Sequence, residues 1–214
     1  MRSDRGQLLA IPLAPGLLGD AAVSLVVAQA LLPAVPSDSA EQVAYYADHR
    51  TVATLSAAAF LVAAACLVLG TAASAGAALD RGRVLARIGL VLTGIGALWP
   101  AVGRATFDLM MVALTGKLRG AAAVAASSAI TNSAALALLL VTLLAFVVGP
   151  VLLGAGLWRA GAGSWLPPAL WLVGVVVVNA TDTSSKAGAI VGMLLAGAAL
   201  AWIGIGVRRS DVPG

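Results

Sequence analysis

The sequence predicts an all-α fold, a polytopic transmembrane bundle of about six helices, and three observations carry that prediction. Hydrophobic residues make up 61% of the chain and charged residues 10%, against about half and about a quarter in soluble domains. The mean hydropathy is +1.01. Several nearly charge-free runs reach about 20 residues, the length a helix needs to cross the hydrocarbon core. Lipid offers no partners to backbone groups, so spans are helices or strands of a closed barrel. These runs are long and lack the alternation of barrel strands. Helices follow.

The thirteen Lys and Arg give a net charge of +4, but they fall in small groups between apolar runs. That pattern suits charges that orient spans and meet anionic lipid heads, and it gives no reason to expect nucleic acid. The single Cys66 lies in an apolar run, excludes an intrachain disulfide and reads as a small core residue.

Span one is expected over 8–32, after a polar start with Arg2 and Arg5. Pro12 and Pro15 should kink it, Asp20 falls near its middle and Gln29 near its end. A basic start, an apolar stretch and Ala28-Gln29-Ala30 also have the form of a cleaved signal. The length of the stretch, its two prolines and Asp20 favour an uncleaved span.

Ser39 with Gln42 three residues on has the form of a capping box, so a helix should start near Ala40. On it Glu41, Tyr45, Asp48 and His49 share a face, and Tyr46 and Arg50 form an adjacent pair. This juxtamembrane helix is expected to lead without a break into span two, 51–73, with both tyrosines at the water boundary. A basic hinge over 80–87 leads to span three, 84–103. Beyond Pro100 the chain reads either as one long kinked helix or as a span ending near Val102 and a separate amphipathic helix. Span four is 134–157, with a kink at Gly149-Pro150. Pro167-Pro168 opens span five, 167–179, and span six is 187–207.

With six spans, one side holds eight Lys and Arg and the other five. The richer side faces the cytoplasm, so both termini are expected to be cytoplasmic in the plasma (inner) membrane.

Two groups of side chains are candidates for function. The first is a polar site of Asp20, Gln29, Arg104 and Asp108. A carboxylate within a span is a functional-site hypothesis by default, although Asp20 lies near the cytoplasmic surface if the span starts later, near Ala21. Arg104 and Asp108, four apart, fit an ion pair, which the nearby Lys117 and Arg119 make a structural feature near the surface. The second group is an outer-boundary cluster of Tyr45, Asp48 and His49, which reads as a solvated helix start or as a proton relay. A lone histidine without a ligand ladder points to no metal, and no cofactor motif is present. Gly188, Gly192 and Ala196 make a small-residue stripe that allows close packing within the subunit or in a homodimer.

The layout resembles the small six-span integral membrane proteins widespread in high-GC actinobacteria. The resemblance rests on 36–50 with its Tyr-Tyr-x-Asp-His-Arg stretch, on the arginines of 81–87 and on 161–171. It implies the bacterial membrane topology and nothing about mechanism. The leading expectation is a non-enzymatic carrier or membrane partner subunit with a polar site around an intramembrane Asp. The alternatives are an enzyme acting on lipid or quinone at the outer leaflet, using Tyr45, Asp48 and His49, and an assembly protein with no site.

Overall fold

Helix is the only regular backbone among the described residues, which are 14–32, 36, 38–74, 82–131, 135–161, 164–181 and 185–209 of a computed structural model. Arg2, Arg5, Pro12 and Arg81 lie outside them. In chain order the helices are α1 (Ala14–Leu31), α2 (Ser39–Asp48), α3 (Arg50–Ser74), α4 (Arg83–Gly96), α5 (Thr106–Lys117), α6 (Gly120–Thr131), α7 (Ala135–Arg159), α8 (Leu166–Thr181) and α9 (Lys186–Arg209). A π-helical turn, Trp99–Ala105, stands between α4 and α5.

Three segments are long and apolar enough to cross a membrane: Arg50–Ala73, Leu140–Arg159 and Lys186–Ile205. Shorter apolar helices cover Gly16–Leu31, Gly120–Ile130 and Leu166–Thr181. Large apolar side chains such as Val23, Val84, Val91, Leu144, Val176 and Leu194 are exposed, while the interior is rich in alanine. Water would penalise so much exposed apolar surface, whereas lipid tails accept it.

Small residues let three helix pairs approach closely, and the contacts fix each pair as antiparallel. On α4 and its leading residue, Gly82, Gly89 and Gly96 meet Gly156, Leu153 and Phe146 of α7 in reverse order. A Cβ on Gly96 would sit 2.4 Å from the Phe146 backbone, so only glycine fits there. This glycine heptad is visible in the sequence and marks the α4–α7 seam. Between α8 and α9, Gly174 faces Gly192 and Ala196, and Thr181 faces Gly188. The stripe of Gly188, Gly192 and Ala196 is thus used within the subunit. Between α1 and α3, Gly70 packs on Leu18, and the Ser56 hydroxyl donates to the Ala28 carbonyl at 3.0 Å.

Pro150 has no N–H to donate to the Phe146 carbonyl one turn back, which would leave that oxygen orphaned in the interior. The fully buried Trp171 of α8 supplies the missing donor: its indole N–H lies 3.2 Å from the carbonyls of Phe146 and Val147. Its ring also meets Phe146 edge to face at 5.0 Å.

Several expected boundaries shift. Asp38, not Ser39, caps α2, accepting from the backbone N–H of Ala40 and Glu41 at 2.8 and 3.0 Å. Ser39 is the first helical residue, and its hydroxyl accepts from Ser128 of α6. Instead of entering the apolar run unbroken, α2 stops at His49, whose backbone leaves the helical region with φ −116° and ψ 31°. Beyond Pro100 the backbone stays helical through the π turn into α5 but changes partner: α4 packs on α7, and α5 on α2 and α3. Leu118 is then extended, and Gly120, at φ +58°, makes the left-handed bend that starts α6.

Trp171→Phe should keep the ring contact and strand the Phe146 carbonyl, lowering stability by about 1–3 kcal/mol. Thermal unfolding in detergent measures it, and an unchanged midpoint would remove the indole from this role. Gly96→Val should abolish the folded monomer on size-exclusion chromatography.

Candidate functional site

The cap at Asp38 and a hydrogen bond from the Gln42 amide to the Pro36 carbonyl (2.7 Å) hold α2 across α5 and α6. A further tie comes from Arg50, whose guanidinium donates to the Thr115 carbonyl in the last turn of α5 at 2.5 Å. A cation there satisfies a terminal carbonyl and complements the helix dipole.

So held, α2 turns Tyr46 inward. The side chain is fully buried, and its hydroxyl donates to Asp108 Oδ1 at 2.5 Å. Asp108, on α5, is also fully buried, and Arg104 Nε lies 3.8 Å from the same oxygen. The expected i, i+4 pair is present, but its acid lies in the interior rather than near the surface. Burial pushes the Tyr46 hydroxyl well above the usual tyrosine range, with the Asp108 charge and hydrogen bond adding to the shift and Arg104 opposing it.

On its other side Arg104 lines a cavity of about 190 Å³ among α1, α3, the π turn, α7, α8 and α9. That is far more than the ~10–15 Å³ one water needs. Gln29, itself buried, and Asn179 are the other polar lining residues. Leu25, Phe60, Trp99 and Phe146 are among the apolar ones. The lining positions fall at the C-terminal ends of α1 and α8 and in the N-terminal halves of α3, α7 and α9, so the cavity belongs to one end of the bundle. It is the same end that α2 covers.

The structure thus joins three of the four residues of the expected polar site. Gln29 and Arg104 meet at the cavity, and Asp108 stands behind Arg104. Asp20 is exposed on α1 and does not line the cavity; among the described residues the buried carboxylate is Asp108.

The outer-boundary cluster is only partly assembled. His49 stacks on Tyr45 with ring centroids 4.6 Å apart, and its Nδ1 lies 3.0 Å from the Tyr45 carbonyl oxygen. Both His49 and Asp48 are exposed. The Tyr45 hydroxyl is buried with no hydrogen-bond partner among the described residues, and burial, then the Asp108 charge, raises its pKa. Tyr46 is bound to Asp108, while Arg50 reaches Thr115, so the two do not act as the expected pair. Among the described residues no three His, Cys, Asp or Glu side chains gather closely enough to hold a metal ion.

Sequence reasoning missed Tyr46 and Asn179. Tyr46 is buried against Asp108, a partner 62 residues away, which no local spacing reveals. Asn179 is recognisable only as the polar residue that ends the apolar run of 166–178. Comparison with family models, with curated proteins and with solved structures gives no match.

Because the folded protein holds the Tyr46 hydroxyl protonated above the ordinary value of 10.0, stability is unaffected below that pH and falls as pH rises past it. Tyr46→Phe should remove this alkaline fall and lower stability at neutral pH by about 1.5–3 kcal/mol, the worth of a hydrogen bond to a charged acceptor. Thermal unfolding of both proteins across the alkaline range checks this. Parallel profiles would count against the buried hydroxyl.

Proposed function

We propose that the chain is a six-span protein of the plasma (inner) membrane, with both termini cytoplasmic, that acts without covalent chemistry as a small-molecule carrier or ligand-binding partner subunit. The observation that carries this reading is the cavity. Gln29, Arg104 and Asn179, from three separate elements, meet there within otherwise apolar walls. Ligand sites have this composition, a mostly apolar chamber with a few placed polar groups.

The topology has its own support. The antiparallel pairs α1–α3, α4–α7 and α8–α9 suit a chain that crosses back and forth. To the three long apolar helices this reading adds α1, α8, and α4 extended by the π turn to Ala105. Exposed Arg83, Arg87 and Arg159 lie at the end away from the cavity, as do the exposed Trp158, Trp165 and Trp202. Arginine with interfacial tryptophan suits a cytoplasmic face. The exposure of Asp48 and His49 at the end of α2 lends no support to an enzyme at the outer boundary.

Two measurements test the reading. In a Cys66→Ser background, Ala44→Cys on α2 should react with an impermeant maleimide in intact cells, and Ala160→Cys only after lysis; the reverse pattern refutes the orientation. Leu143→Trp fills the cavity, so mass spectrometry of small molecules that co-purify with the protein should lose a species present in wild type. Identical profiles would leave the cavity without a ligand.

A further inference from the structure

A second hollow, a groove of about 450 Å³, lies on the surface between α3 and the end of α4. Leu61, Ala64, Val68 and Leu69 line it on one side, Ala97 and Leu98 on the other, and every lining residue is apolar. From Leu98 the same face of α4 runs back through Gly94 and Leu90 to Arg87 and Arg83, at spacings of three and four. Gly94 marks open space along that face. A Cβ there would meet nothing within 4 Å, whereas Gly89 and Gly96 are pressed onto α7. Glycine weakens a helix interior relative to alanine, and no packing contact accounts for this one.

Arg83 and Arg87 are exposed, and neither has an ion pair or hydrogen bond among the described residues. The first turn of α4 carries no acidic residue, so both cations stand near the positive end of the helix dipole. An anion at that end relieves the arginines and the helix terminus together. The lengths also agree. Arg87 lies eleven residues before Leu98, about 16 Å along the helix axis. One leaflet supplies half of the ~30 Å hydrocarbon core, a closely similar depth.

We propose that the α3–α4 groove holds one acyl chain of an anionic phospholipid of the cytoplasmic leaflet, with the lipid's phosphate on Arg83 and Arg87. The proposal rests on α4 crossing the membrane with its arginines at the cytoplasmic face, and it is independent of any ligand in the cavity. A zwitterionic phospholipid fits less well, since its own cation would come beside two guanidinium groups. So does a second copy of the chain. A twofold interface on this face would bring the arginines of both subunits together.

The test uses the full chain purified in detergent. Native mass spectrometry reads the bound lipid as phosphatidylglycerol and phosphatidylcholine of matched chains are titrated in. Wild type should bind one phosphatidylglycerol in clear preference. Arg83→Gln combined with Arg87→Gln should weaken that binding about thirtyfold, at about fivefold for each arginine near an anionic headgroup. Gly94→Leu puts a side chain into the open groove, keeps both arginines and should abolish the bound lipid, while Gly94→Ala should bind as wild type does. A general attraction of anionic lipid to a basic face is not altered by Gly94→Leu, so unchanged binding in that variant overturns the proposal. Equal binding of the two lipids to wild type overturns it as well. A dimer that Gly94→Leu dissolves makes a second copy the occupant and overturns the lipid. Protein that reconstitutes into bilayers yet selects no lipid removes this site and leaves the membrane reading standing; protein that stays soluble without detergent removes both. If the arginine variant does not insert, Gly94→Leu decides alone.

Discussion

A carboxylate with no exposure must be satisfied by the protein around it, and Asp108 imposes that constraint on one whole end of the molecule. An ionised carboxylate left alone in an apolar interior is penalised by several kcal/mol. Two groups relieve it from different directions. Arg104 comes from the same helical path, one turn earlier, and Tyr46 from α2, a separate element. For the tyrosine to arrive, α2 must lie flat across α5, and the Asp38 cap, the Gln42 bond to Pro36 and the Arg50 bridge to Thr115 all serve that placement. The break at His49 has the same meaning. An α2 continuous with α3 would share its axis and could not lie across a neighbouring helix.

The rest of the bundle obeys a related rule for backbone groups. Apolar helices in lipid gain little from burying apolar side chains, so association depends on close packing and on leaving no polar group unsatisfied. The α4–α7 seam meets the first demand with glycine where the backbones touch. The second is met at Pro150, where a tryptophan from a third helix replaces the lost donor. These two solutions meet at Phe146. Its backbone contacts Gly96, its carbonyl accepts from Trp171, and its side chain lines the cavity. The cavity wall is thereby built in part on the close backbone contacts of the α4–α7 seam.

Legibility in the sequence follows the same division. Helix identity and the ends of α7, α8 and α9 were readable, because long charge-free runs and the Pro167-Pro168 start are local signals. The start of α2 was misread by one residue, since Asp38 and Ser39 are both good caps and only the backbone bonds distinguish them. Arg104 and Asp108 were readable as a pair but not as buried, because nearby Lys117 and Arg119 placed them at the surface. Tyr46 was beyond reach, as its role depends on how α2 folds back. Asp20 stands out in the sequence through its position along the run. Position says how deep a residue sits but not which way it faces, and Asp20 faces outward.

The two candidate groups seen in the sequence, one polar and intramembrane, the other at the outer boundary, are linked through a single chain of contacts. From the cavity it runs through Arg104 to Asp108, through the shared carboxylate oxygen to Tyr46, and on to Tyr45, whose ring meets Tyr46 edge to face at 5.4 Å and stacks on His49. Each link is a direct contact, and the middle ones are fully buried. Any change in the charge that Arg104 faces alters the strength of the Tyr46 hydrogen bond, because both act on one oxygen. The placement of α2 at the surface is therefore tied, through Asp108, to Arg104 in the cavity wall. That tie gives a physical reason for a tyrosine at position 46 where phenylalanine would satisfy packing alone.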